Sequence, residues 1–87
     1  MARLFIPPPL REAAGGLESI EGAFATAGDA LVELAARFPA LGARLQRRGA
    51  LAPGWAIVVD GAVAPMGLRA PLSASSELHI LPALGGG

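Results

Sequence analysis

Only one stretch of this chain has the pattern of a helix three turns long, and that restricts the possible folds more than any other feature. Thr26 is followed three residues later by Asp29, a variant capping box. The threonine hydroxyl takes a free amide of the first turn, and the carboxylate sits at the positive end of the helix dipole. Behind it Leu31, Leu34, Ala35 and Phe38 fall at i, i+3, i+4 and i+7, and Pro39 ends the run, which predicts an amphipathic helix over 27–38. Leu41 and Leu45 carry the period into a short further turn that Gly49 closes. A single apolar stripe cannot make a bundle, so the remaining segments must supply a sheet for it to cover.

Those segments read as strands. Ala2 to Ile6 is apolar apart from Arg3, and Pro7-Pro8-Pro9 stops it because proline cannot donate to a strand ladder. Gly15-Gly16 make a turn, and Leu17 to Gly22 alternates as a second strand, completing a hairpin. Ala50 to Gly54 reads as loop. Trp55 to Val59 is short, continuously apolar and β-branched, the pattern of a buried central strand. Asp60-Gly61 signals a tight turn into a short strand over Ala62 to Ala64. Pro65 to Ala74 is irregular, with Leu68 and Leu72 as plugs for the core, and Glu77 to Leu81 alternates as the last strand. Strand, turn, strand, helix, strand, short strand, strand is an α+β order. With right-handed crossovers, and with the first and last strands adjacent in the middle, it gives a β-grasp sheet with the helix packed across it. One domain over 1–83 and a tail over 84–87 are expected.

Composition narrows the chemistry. Of the 87 residues 19 are Ala, so the 53% hydrophobic content holds only 27 larger apolar side chains, about one compact core. Cysteine is absent, which removes disulfides, thiolate nucleophiles and zinc knuckles. All seven cations are Arg, so a Schiff base and a P-loop of the usual type are excluded. One His, two Asp and no Tyr leave little from which to build a triad or a metal site. Seven cations against seven acids give a net charge of zero and no phosphate-tracking face, so no nucleic acid is expected. The apolar run before Pro7 is too short for a signal-peptide core, and no stretch is long enough to span a bilayer. A soluble cytoplasmic protein, without a membrane partner and not an enzyme by itself, is the expectation.

Single residues divide in the same way. His79 reads as a solvent-face imidazole on an alternating strand, and Trp55 as core. Arg44, Arg47 and Arg48 read first as cations complementing a helix C-terminus, with a basic docking patch for an acidic partner as the sharper alternative. Leu81 and Leu84 differ, because apolar side chains leading into a glycine tail have little core of their own to fill and suit a partner groove.

Four stretches then resemble the MoaD/ThiS sulfur carriers, ubiquitin-like β-grasp proteins that end in an obligatory diglycine. They are Ile6-Pro7-Pro8-Pro9-Leu10-Arg11 with Gly15-Gly16, Gly28 to Leu34 running on through Phe38-Pro39, Ile57 to Gly61, and Leu78 to Gly87. The ending is the most specific: Pro82, Ala83 and Leu84 follow the last strand, Gly85 is a small spacer, and Gly86-Gly87 is the diglycine. The opening and ending look most like the carriers of cysteine or secondary-metabolite sulfur pathways. The resemblance departs at Ala74-Ser75-Ser76-Glu77, where the family usually has Asp-Gly-Asp-Glu, and mildly at Asp60-Gly61, where it often has Asn-Gly.

What the resemblance implies is chemistry at the terminus. An E1-like (MoeB/ThiF-type) adenylyltransferase, using ATP and Mg, would activate the Gly87 carboxylate, and a sulfide or persulfide donor would displace AMP to leave a thiocarboxylate. A sulfur-accepting enzyme would receive it: a cysteine-synthase-like or thiazole-synthase-like enzyme, or the molybdopterin synthase large subunit. The chain itself would bind no cofactor and no metal. Gly87 is thus the expected reacting residue, with Gly86, Gly85, Leu84, Pro82 and Leu81 as the partner-binding segment. Glycine lacks Cβ, so this tail fits a channel closed to any other residue. The same diglycine would serve the small subunit of molybdopterin synthase or a ubiquitin-like protein modifier.

Overall fold

The computed structural model describes residues 1–83. Strands β1 (Ala2–Phe5), β2 (Ser19–Gly22), β5 (Trp55–Val59), β6 (Ala62–Val63) and β7 (Glu77–Pro82) form one sheet in the order β2-β1-β7-β5-β6. A separate hairpin joins β3 (Gln46–Arg47) to β4 (Ala50–Leu51). β1 and β7 are parallel, with Arg3 beside Glu77, Leu4 beside Leu78 and Phe5 beside His79; the other pairings are antiparallel. The first and last strands therefore meet in the middle of the sheet, and the β-grasp order expected from the sequence is present.

Helix α1 (Ala27–Arg37) lies across one face of this sheet. Its capping box is formed: the Asp29 amide donates to Thr26 Oγ1 and the Thr26 amide to the Asp29 carboxylate, both at 3.2 Å. Ala27, Ala30, Leu31 and Leu34 are buried from the helix side, and Leu4, Ile20, Ile57, Leu78 and Ile80 from the sheet. Leu68 and Leu72 pack against this core as expected.

Three local readings are refined. Pro39 ends α1 as expected, and the short further turn expected behind it is a seven-residue helix. The proline restricts Phe38 to an extended conformation (φ −134°, ψ 82°), which breaks α1, and then opens a second helix, α2 (Pro39–Leu45), at its first position, where proline's missing N–H costs nothing. Leu41 and Leu45 are the buried face of that helix. Between Pro7 and Gly15 the chain makes a 3-10 helix (Pro8–Ala14) rather than a plain connection. Leu10 and Ala14 enter the core there, and Gly15 closes the helix at φ 66°. The expected loop around Ala50 contains β4, paired with β3 through a two-residue turn at Arg48-Gly49.

The departing turn near Ala74 is built without glycine. The Ser76 amide donates to the Ser73 carbonyl at 3.2 Å, and the Ser73 amide donates to Ser76 Oγ at 2.8 Å. Asp60 completes it: its carboxylate accepts the Glu77 amide at 2.8 Å and the Ser76 hydroxyl at 3.2 Å. Asp60 has φ 50° and Gly61 φ 86°, as a two-residue hairpin turn between β5 and β6 requires. The exchange of Asn for Asp thus gives the turn a carboxylate that grips the start of β7.

Candidate functional site

β7 ends between two features that fix where the chain leaves the sheet. Trp55 pairs with Pro82, and the Ala83 amide donates to the Gly54 carbonyl at 2.8 Å. Backbone pairing therefore continues to the last described residue. Leu84, Gly85, Gly86 and Gly87, which include the expected reacting residue and most of the expected partner-binding tail, lie outside the described residues, as does the boundary expected at 84. Pro82 and Ala83 are exposed, and Leu81 is 42% exposed, unusual for a leucine in a paired strand.

The face of the sheet away from α1 explains Leu81. Residues directly opposite in a sheet share a face, so one row runs Ser19, Phe5, His79, Val58, Val63 across all five strands. Leu81 and Ala56 form the next row toward the C-terminal end. Val63 is 68% exposed, while Phe5, Ala56, Val58 and His79 are half-buried by one another. Among the described residues no helix covers this strip.

The expectation for β5 is corrected accordingly. Only Ile57 is buried; Trp55 and Val59 are half-buried against the core, and Ala56 and Val58 lie on the open face. Its sequence is apolar at every position because one parity faces the core and the other the uncovered strip, not because both faces are covered. His79 does face outward, but its ring stacks on Phe5 with centroids 4.4 Å apart and planes within 2°. Arg3 lies over the other end of this pair, its guanidinium carbon 5.9 Å from the Phe5 centroid, and also bridges to Glu21 at 3.3 Å. The sequence missed the strip as a site; the signal was the run Trp55–Val59 itself, apolar at both parities.

The described residues contain no group of three His, Asp or Glu side chains able to hold a metal, and no helix long and apolar enough to cross a membrane. An open groove of about 310 Å³ lies at the opposite end of the sheet, where β1 and β7 begin, lined by Met1, Phe24, Ala25 and Leu72 among others. Ser73 is the one polar side chain in its lining, so it offers no acid, base or ligand set.

Comparison with known proteins agrees with this geometry. No curated protein matches the chain at a significant level. Among solved structures, a chain of the Amycolatopsis orientalis BexX/CysO complex superposes with a TM-score of 0.86 at 29% identity, covering 100% of both chains. CysO of Mycobacterium tuberculosis gives 0.82 at 25% identity, covering 97% of this chain and 100% of the other. The small archaeal modifier protein 1 of Methanosarcina acetivorans gives 0.83 at 27% identity, covering 99% and 95%. The ThiS family model matches residues 5–87, a span that runs from the last residue of β1 through β7 to the diglycine. The chain belongs to the ThiS family, as a β-grasp protein of the MoaD/ThiS sulfur-carrier type.

Proposed function

We propose that the chain carries sulfur as a C-terminal thiocarboxylate on Gly87. The observation that supports this most directly is the family match running through to Gly87, on a fold whose last strand sits in the middle of the sheet and is hydrogen-bonded as far as Ala83. An E1-like adenylyltransferase transfers AMP from ATP to the Gly87 carboxylate, releasing pyrophosphate, and the carboxylate becomes a mixed anhydride. Hydrosulfide then attacks the carbonyl carbon and expels AMP. The product holds sulfur as an anion that a biosynthetic enzyme takes up for cysteine, a thio-sugar, a thiazole or a similar product.

In this scheme the domain supplies grip and the tail supplies reach. Leu81 and the strip of Phe5, Val58 and Val63 give the activating enzyme an apolar surface beside the exit of the tail. That the matching CysO chain was solved in a complex with BexX supports a carrier acting on partner enzymes. The absence of cysteine means that no internal thiol competes for the activated terminus.

The test is the intact mass of the protein from its native host, where replacing one oxygen by sulfur adds about 16 Da. A chain lacking Gly86 and Gly87 should keep the fold, since it loses no side chain, and should lose adenylation and sulfur transfer. Sulfur transfer by that truncated chain in a reconstituted system would overturn the reading. The likeness to an archaeal modifier protein favours a second role, attachment of Gly87 to lysines of other proteins, which a ladder of conjugates in host lysate would reveal.

A further inference from the structure

The arginines divide into those the fold uses and those it does not. Arg3 bridges to Glu21, Arg37 to Glu33 at 2.9 Å, and Arg11 donates to the Ile6 carbonyl at 3.0 Å. Among the described residues Arg44, Arg47, Arg48 and Arg69 make no ion pair and no side-chain hydrogen bond, and three of these four fall within five consecutive positions. The helix-dipole account covers Arg44 alone, which lies in the last turn of α2. Arg47 is in β3 and Arg48 is in the turn beyond it, outside any helix.

Arg48 also occupies a costly position. Its φ is 54°, followed by Gly49 at 76°, so the two-residue turn needs a left-handed backbone at both places. Asn, Asp or Gly fill the first place at least cost; an arginine there gives up roughly 1 kcal/mol. Such strain, held by surrounding structure, directs attention to what the side chain does outside the fold.

The hairpin leads, through Ala52 to Gly54, into the contact that holds the end of β7. The Ala52 amide donates to the Leu45 carbonyl at 2.8 Å, tying the hairpin to the end of α2, and Leu51 packs on the core. Gly54, three residues after Leu51, holds Ala83. No acidic residue occurs between Arg44 and Val59, or between Leu78 and Ala83. The two segments that meet at the Gly54–Ala83 contact are thus free of negative charge along the chain, in a molecule whose net charge is zero.

We propose that Arg47 and Arg48, with Arg44 behind them, form a basic docking contact that fits a carboxylate-rich rim around the cleft of the enzyme that adenylates the tail. This rests on the sulfur-carrier reading. Charges at a rim act chiefly on encounter and register, and their effect falls with salt. The apolar strip supplies area on one side of the exit, and the arginine hairpin, on the α2 side, fixes the direction in which the tail is offered.

The experiment measures ATP consumption by the host's ThiF/MoeB-type adenylyltransferase with the full chain, the double variant Arg47→Gln/Arg48→Asn, and Arg69→Gln as control. Asn suits φ 54° better than Arg, so the double variant should melt at or above the wild-type temperature, which separates binding from folding. Its KM for the carrier should rise about tenfold at low salt with kcat unchanged, and the difference should shrink severalfold at about 0.5 M salt. Arg69→Gln, on the short Gly67–Arg69 turn that contacts both α1 and β4, removes a cation outside the 44–48 cluster and should leave KM unchanged. An unchanged KM in the double variant overturns the proposal. So does a change confined to kcat or to the KM for ATP, which would place the arginines on the nucleotide instead. Failure of the wild-type chain to be adenylated overturns the sulfur-carrier reading itself, and this inference with it.

Discussion

Replacing Asp60 by Ala should cost about 2 kcal/mol, and the sum follows from three contributions. The Glu77 amide loses a charged acceptor at 2.8 Å, but it is reached by water, so about 0.5–1 kcal/mol is assigned to it. The Ser76 hydroxyl loses its contact at 3.2 Å. Ser76 is only 4% exposed, yet its hydroxyl can turn to Ser73 Oγ at 3.1 Å, so this loss is again about 0.5–1 kcal/mol. Alanine at φ 50° lacks the local hydrogen bonding that lets Asp visit that region, adding about 0.5–1 kcal/mol. Asp60→Asn is the diagnostic partner. It keeps the turn preference and an acceptor for Glu77, and its amide can donate to Ser76 Oγ, so it should cost less than about 1 kcal/mol. Urea unfolding followed by the fluorescence of Trp55, the single tryptophan, reads both. For a domain this size Asp60→Ala should also lower Tm by about 8–16 °C. If Asp60→Asn were as destabilising as Asp60→Ala, or if Asp60→Ala cost under about 0.5 kcal/mol, the carboxylate would not be what closes this turn.

Three further outcomes are expected. Gly42→Ala should destabilise by about 1–2 kcal/mol in urea unfolding, because its Cβ would lie 2.5 Å from Ala35 Cβ and 3.1 Å from Ala35 Cα, an overlap that outweighs the gain in helix propensity. Thr26→Ala should cost about 1 kcal/mol, with faster hydrogen exchange at the amides of Ala27 to Asp29. Leu81→Asp should weaken binding to the activating enzyme about tenfold in titration calorimetry while shifting Tm by no more than about 2 °C, since the side chain is already partly in water.

The helix, the first and last strands and the Asp-Gly hairpin were legible because each rests on a local rule: a cap with a 3.6-residue stripe, a two-residue period, a turn dipeptide; that the two strands pair followed from the crossover rule. The stop at Pro39 was legible, but the length of the helix behind it was not, because only the path of the following chain, with Leu41 and Leu45 on the core side, decides how far that turn extends. The hairpin at Arg48-Gly49 was invisible because Arg is not a residue that asks for a left-handed turn; tertiary ties at Leu45 and Leu51 impose it. The open strip was missed for a different reason. A continuous apolar run looks the same whether its second face is covered by protein or left for a partner, and the register that places Val58 beside His79 and Val63 is not local information.

The pairing of β1 with β7 has a mechanical consequence. The two strands are parallel, so the chain enters at one end of the sheet and leaves at the other. A force drawn through the C-terminus against the N-terminus then acts along both strands, loading their cross-links together in shear instead of opening them one after another. β7 is held from its other side as well, by five register pairs to β5 from Trp55–Pro82 to Val59–Leu78. An enzyme can pull hard on this terminus without peeling the last strand away, and rupture forces measured between the two termini should exceed those measured across the β1–β2 hairpin, whose strands can unzip.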